Sequence, residues 1–164
     1  MKTSLLKSVI VSAILLAVPL AAEEQARLAE LDAFWSEVSR TVRAGDFEGY
    51  KTTCHGEGVL VTGIKQTSQP LSKALERWNQ DFVETKAGKI KASVEFRFSQ
   101  RLGDETTAHE TGIFLYSSFG ADGQIRKDYI HFEALLVKRG GWKTLMEYQK
   151  SKATREEWEA LKQM

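Results

Sequence analysis

The chain has 164 residues, 42% of them apolar and 27% charged, with 12 Gly, 2 Pro and a single Cys. That composition fits an ordinary globular domain and excludes a disulfide scaffold, a collagen-like fibre and a disordered tail. With 23 Lys and Arg against 22 Asp and Glu, the net charge is +1. A balance this even exerts no general pull toward phosphate backbones or anionic membranes, so neither nucleic acid nor a stable membrane anchor is an expected partner.

Residues 1–22 differ from the rest. Lys2 and Lys7 make a positive start, Val9 to Val18 is apolar except for Ser12, and Pro19-Leu20-Ala21-Ala22 precedes Glu23-Glu24. This is the layout of a secretory signal peptide, and the apolar run is too short for the roughly 20 residues a spanning helix needs. The chain is therefore expected to be exported, to the periplasm or the medium, with residues 23–164 as one domain. Loss of Lys2 and Lys7 leaves 21 basic against 22 acidic residues. Cys54 then cannot close an intrachain disulfide and reads as a small buried hydrophobe.

Leu28, Leu31, Trp35, Val38 and Val42 recur at spacings of three and four, which predicts a helix from about Glu24 to Ala44. Gly45 ends it and Asp46 caps a short second helix, Phe47 to about His55. Val59 to Thr62 reads as a strand, followed by a polar loop through Gln69-Pro70. Leu71, Leu75, Trp78 and Phe82 predict a third helix, stopped by Gly88.

From Lys89 the period changes to 2. Val94, Phe96 and Phe98 alternate with polar residues, and runs from Thr106 to Phe119, Arg126 to Lys138 and Trp142 to Gln149 follow turns at Gly103-Asp104, Ala121-Asp122-Gly123 and Arg139-Gly140-Gly141. The expectation is an antiparallel meander in an α+β domain, with three N-terminal helices packed on one face of a curved antiparallel sheet. Thr154 and Glu157 fit a capping box, so a short C-terminal helix should begin there.

Ala44-Gly45-Asp46-Phe47-Glu48-Gly49, Thr111-Gly112 and the run from Lys138-Arg139-Gly140-Gly141-Trp142 to Glu147-Tyr148-Gln149-Lys150-Ser151, in this order of elements, resemble the nuclear transport factor two-like superfamily. That superfamily includes ketosteroid isomerase, scytalone dehydratase and the SnoaL-like polyketide cyclases. The resemblance implies a cone closed by helices, an apolar pocket for a small apolar or mixed-polarity ligand, and frequent homodimerisation. The same scaffold serves as a binding or assembly module, so the resemblance does not decide between an isomerase or lyase and a non-catalytic dimeric module. It places the ketosteroid isomerase donor Tyr at Val38, its base at Thr62 and its donor carboxylic acid at or beside Glu133. Only the last retains a group able to do that work.

Period-2 geometry puts Tyr129, His131 and Glu133 on one sheet face. With the hairpin centred on Asp122-Gly123, that face also holds Phe114, Tyr116 and Glu110. His131 and Glu133 are the candidate acid/base pair, on a face that is either a pocket wall or a solvated or dimer surface. Ile130, Phe132, Ala134 and Leu136 make the opposite, more apolar face. By the family pattern Trp78, Phe82 and Tyr148 are candidate pocket residues, with Trp78 and Phe82 reading equally as plain core packing; Phe114 and Tyr129 are further candidates, and Tyr50 is a lesser one. The histidines His55, His109 and His131 show no ligand spacing, and there is no Gly-rich phosphate loop or nucleophile elbow. No metal or cofactor is expected.

Overall fold

A computed structural model describes residues 11–120 and 123–161, with side chains from residue 21 onward. Of the expected leader, residues 1–10 lie outside this range. Helix α1, Val11–Ala44, runs without a break through the junction at residue 22. It buries Leu31, Phe34, Trp35 and Val38, the expected stripe widened by Phe34. At its end Gly45 has φ +63°, and a Cβ there would stand 2.4 Å from the backbone nitrogen of Lys86. Only glycine lets this turn lie so close to another helix. Asp46 caps α2, Phe47–Thr52, by accepting from the Gly49 amide at 2.9 Å.

Helix α2 is shorter than expected, because Cys54 already opens strand β1, Cys54–Thr62. Thr52 and Thr53 are poor helix formers, and the Thr53 carbonyl accepts from the Thr144 amide at 2.8 Å, which starts sheet pairing. The expected polar loop contains an edge strand, β2, Thr67–Pro70, which returns antiparallel to β1. Its four residues carry no apolar signal a sequence reading can use. Helix α3, Leu71–Lys86, follows and ends before Gly88 at φ +71°.

Strands β3 (Lys91–Gly103), β4 (Thr107–Phe119), β5 (Ile125–Lys138) and β6 (Trp142–Lys152) form the expected meander. The sheet order is β2-β1-β6-β5-β4-β3, with β1 parallel to β6. The sheet is therefore mixed, where an antiparallel one was expected.

Its concave face packs on α1. Trp35 sits 4.4 Å from Phe96 and 5.8 Å from Phe132, ring centre to ring centre, inside a cluster with Leu31, Val38, Val94, Ala134 and Leu136. The outer face carries α4, Arg155–Ala160, whose capping box forms as expected between Thr154 and Glu157. Trp158 of this helix packs on Ile113 and Leu115. The Arg97 guanidinium lies 4.4 Å from its ring and donates to its carbonyl at 2.9 Å.

Candidate functional site

A cavity of about 320 Å³ opens between the helices and the inner sheet face. Helix α1 contributes Trp35, Val38 and Val42, α2 contributes Tyr50, and α3 contributes Trp78, Asp81 and Phe82. The sheet adds Phe96, Phe114, Tyr116, Asp128, Ile130, Phe132, Glu147 and Gln149. Most of this wall is aromatic or aliphatic, so its few polar atoms define where a bound molecule can make hydrogen bonds.

Glu147, half-buried on β6, is the acid among those groups that lies beside Tyr50 and Cys54. Burial pushes its carboxyl above the ordinary 4.5, and the Gln149 amide, donating at 2.7 Å, offsets only part of that. Desolvation disfavours the charged form, and no cation acts to restore it. The surface that Glu147 retains faces the cavity. The Tyr50 hydroxyl is also pushed well up, first by burial and then by the Glu147 charge. Burial likewise raises the Cys54 thiol to about 12, with Glu147 adding to the shift. Tyr50, Cys54 and Glu147 thus form one polar group inside an apolar wall. Cys54 stays a thiol, not a thiolate nucleophile.

Glu147 and Gln149 face inward because of a bulge. Leu136 pairs with Thr144, but Leu135 pairs with Met146, so Leu145 is an extra residue on β6. One unpaired residue reverses the alternation of the residues after it, here as far as a second extra residue at Lys150. Strict alternation from Trp142 turns Tyr148 inward and Glu147 outward; the bulge exchanges them. Tyr148 therefore lies opposite Glu133 on the outer face and does not line the cavity.

The hairpin between β4 and β5 pairs Phe114 with Ile130 and Tyr116 with Asp128, half a residue away from a centre on Asp122-Gly123. Phe114 and Tyr116 consequently share the cavity wall with Ile130 and Phe132, not a face with Tyr129, His131 and Glu133. Those three point outward. Tyr129 packs on Trp158 at 6.0 Å. His131 meets Glu157 at 3.2 Å. Glu133 accepts from Lys150 at 2.6 Å and meets His109 at 3.2 Å, and these partners hold its carboxyl below the ordinary range. His131 and Glu133 do not meet a common cavity atom, whereas Trp78, Phe82 and Phe114 stand on its wall.

Glu110, grouped with the outward face on sequence grounds, also faces inward and is 0% exposed. It accepts from the Trp35 indole and, at 2.5 Å, from Arg101, which also reaches Asp32 at 2.5 Å. Its oxygens are occupied by these donors, so its work is to fix Trp35, and with it one side of the cavity. At the ketosteroid isomerase positions, Val38 lines the cavity without a polar atom, and Thr62 lines a separate polar groove.

No family model and no curated protein matches the sequence. Solved structures do resemble its fold. A conserved protein from Planctomyces limnophilus DSM 3776 aligns with 76% of this chain and 94% of its own at 12% identity, with a TM-score of 0.64. A Catenulispora acidiphila protein in complex with S-DNPA aligns with 75% of this chain and 91% of its own at 18% identity and a TM-score of 0.58. An NTF-2-like protein of unknown function from Shewanella oneidensis MR-1 aligns with 74% of this chain and 96% of its own at 10% identity and a TM-score of 0.56. The helices, the mixed sheet they pack against and these likenesses together give the chain the nuclear transport factor two-like fold.

Proposed function

We propose that this protein binds a small, largely apolar molecule in the cavity and anchors its polar end on Glu147. The observation that carries this reading is the 320 Å³ space with an apolar wall and one half-buried carboxyl that has no cation beside it. Its volume falls at the lower end of the roughly 300–1,000 Å³ typical of ligand sites. A plugged cone would favour a purely structural module, but Trp78 and Phe82 line the space without filling it, and Tyr148 is outside it. The complex of the Catenulispora acidiphila protein with S-DNPA is in keeping with ligand binding on this scaffold.

An isomerase or lyase activity is the catalytic form of the proposal. A carboxyl raised by burial is better suited than an ordinary one to exchanging a proton with a bound molecule, and the Tyr50 hydroxyl supplies a second donor. Native mass spectrometry of the protein from its own host tests the binding reading. A retained small molecule is expected, absent when Ala92→Trp fills the cavity of a folded variant. An empty protein that also shows no thermal shift with a fragment library would defeat it. Loss of solvent deuterium incorporation into that molecule on Glu147→Gln would support the catalytic form.

Two further proposals concern the whole molecule. Export rests on the layout of residues 1–22, and the N-terminal peptide of the protein recovered from its host checks it. A homodimer through the outer sheet face rests on Val59, Val61, Leu135, Val137 and Met146, which stay partly exposed beside Tyr148. Light scattering across a dilution series reads this directly.

A further inference from the structure

The cavity wall carries three acids, Asp81, Asp128 and Glu147, and among the described residues lining it there is no Lys, Arg or His. Asp81 on α3 and Asp128 on β5 are exposed and act on Tyr116 from the mouth, each adding to the upward push that burial gives its hydroxyl. Glu147 on β6 lies within electrostatic reach of Tyr50 on α2 and Cys54 on β1.

Two of the nearby lysines are engaged elsewhere. Lys143, which acts on Cys54, donates to the Thr52 carbonyl at 2.7 Å. Lys150 is paired with Glu133 at 2.6 Å on the outer face. Lys65 and Arg77 line a second, polar groove that shares Trp78 and Gln149 with this wall. Nothing in the wall itself balances Glu147. Around it stand aromatic faces: Tyr50 is 6.2 Å from Trp78 and 5.0 Å from Phe82, ring centre to ring centre. Aromatic faces and an uncompensated carboxylate both attract a cation, and both gain strength where water is excluded. An anion meets Asp81 and Asp128 at the mouth and would hold Glu147 in its neutral form, whereas a cation favours the carboxylate that burial alone disfavours.

We infer that the cavity takes a small organic cation, a protonated amine on an aromatic or alicyclic body, with its ammonium on Glu147 and its body among Tyr50, Trp78 and Phe82. The inference rests on the ligand-binding reading above, and specifies its ligand class. The acids at the mouth then draw the cation in, and the ion pair formed inside gives Glu147 the partner the fold withholds.

Calorimetric titration of the purified protein at neutral pH with three probes of one shape tests this: phenethylamine, phenethyl alcohol and hydrocinnamate. The amine should bind about tenfold or more tighter than the alcohol, because its hydrogen bond is charge-assisted, and hydrocinnamate should not register. Glu147→Gln should cancel the advantage of the amine over the alcohol while the alcohol still binds, an outcome that misfolding does not produce. If the alcohol binds as tightly as the amine, or the amine keeps its advantage in Glu147→Gln, the cation assignment is overturned while ligand binding stands. Binding of hydrocinnamate in preference to both has the same effect. If none of the three binds to folded protein, the cation assignment falls, and the ligand-binding reading is decided by native mass spectrometry and the fragment library.

Discussion

Gln149 donates its side-chain amide to Glu147 at 2.7 Å from two residues along the same strand. The pair lies on the cavity wall, so one side chain holds the other in place while leaving its charge unanswered. This makes Glu147 a destabilising group whenever it ionises, in exchange for a polar anchor in an apolar space.

Stability should record that cost with a definite sign. The folded carboxyl is raised above its ordinary value of 4.5, so the unfolded chain gives up its proton first as pH rises. The contribution of Glu147 is intact below that value and is lost as pH climbs through the folded one. Glu147→Gln cannot ionise. Urea unfolding of the two proteins should therefore show the variant gaining on the parent from about pH 4.5 upward and then levelling off. A difference that stays flat with pH would mean that the carboxyl is as well solvated when folded as when unfolded.

Cys54 should be nearly inert. With its thiol pushed up to about 12, the thiolate fraction at mildly alkaline pH is about two to three orders of magnitude below that of an ordinary cysteine. Iodoacetamide should label it slowly in the native protein and quickly in urea. Rapid native labelling would contradict a raised thiol. A cavity ligand should slow the reaction further.

Removing the Glu110 carboxylate should be expensive. Glu110→Ala leaves the Trp35 indole without its acceptor and takes from Arg101 a partner at 2.5 Å. The loss expected is about 3 kcal/mol, read from denaturant midpoints, with a shift in Trp35 fluorescence. Glu110→Gln keeps an accepting oxygen and should cost less. Equal costs for the two variants would show that the charge matters more than the hydrogen bonds.

On the outer face, substitutions should be mild and should leave the cavity alone. Lys150 and His109 hold the Glu133 carboxyl below its ordinary 4.5. Its stabilisation is present above that value and is lost as pH falls through the depressed one. Glu133→Gln should cost less than about 1 kcal/mol at neutral pH. Together with His131→Ala, it should leave the affinity for any cavity ligand unchanged. A loss of ligand affinity in either variant, with stability intact, would return these residues to the site.

The helices, the meander and the C-terminal cap were legible because each depends on local pattern: the stripe of Leu31, Trp35 and Val38, the alternation of Val94, Phe96 and Phe98, the Thr154 and Glu157 pair. Trp78 and Phe82 were legible only as large rings at helical spacing, which suit a core as well as a cavity wall. The polar part of the site was not, for two reasons of backbone phase. A half-residue shift in the turn after Phe119 decides which face Phe114 and Tyr116 share. The unpaired Leu145 decides whether Glu147 or Tyr148 looks inward. Neither choice leaves a mark in residue type. Edge strand β2 was missed for a related reason, since it is held by backbone pairing to β1 and buries almost nothing.

The extra residue at Leu145 also makes the chemistry of this wall a matter of counting. A substitution at Glu147 changes one group, but deletion of the single codon for Leu145 would present Tyr148 to the cavity and send Glu147 and Gln149 to the opposite surface. A phenol would replace the Glu147 carboxyl with no side chain substituted, while Asp81 and Asp128 stay on the wall. Strand β6 therefore encodes two alternative linings in the same stretch of chain, and chain length selects between them.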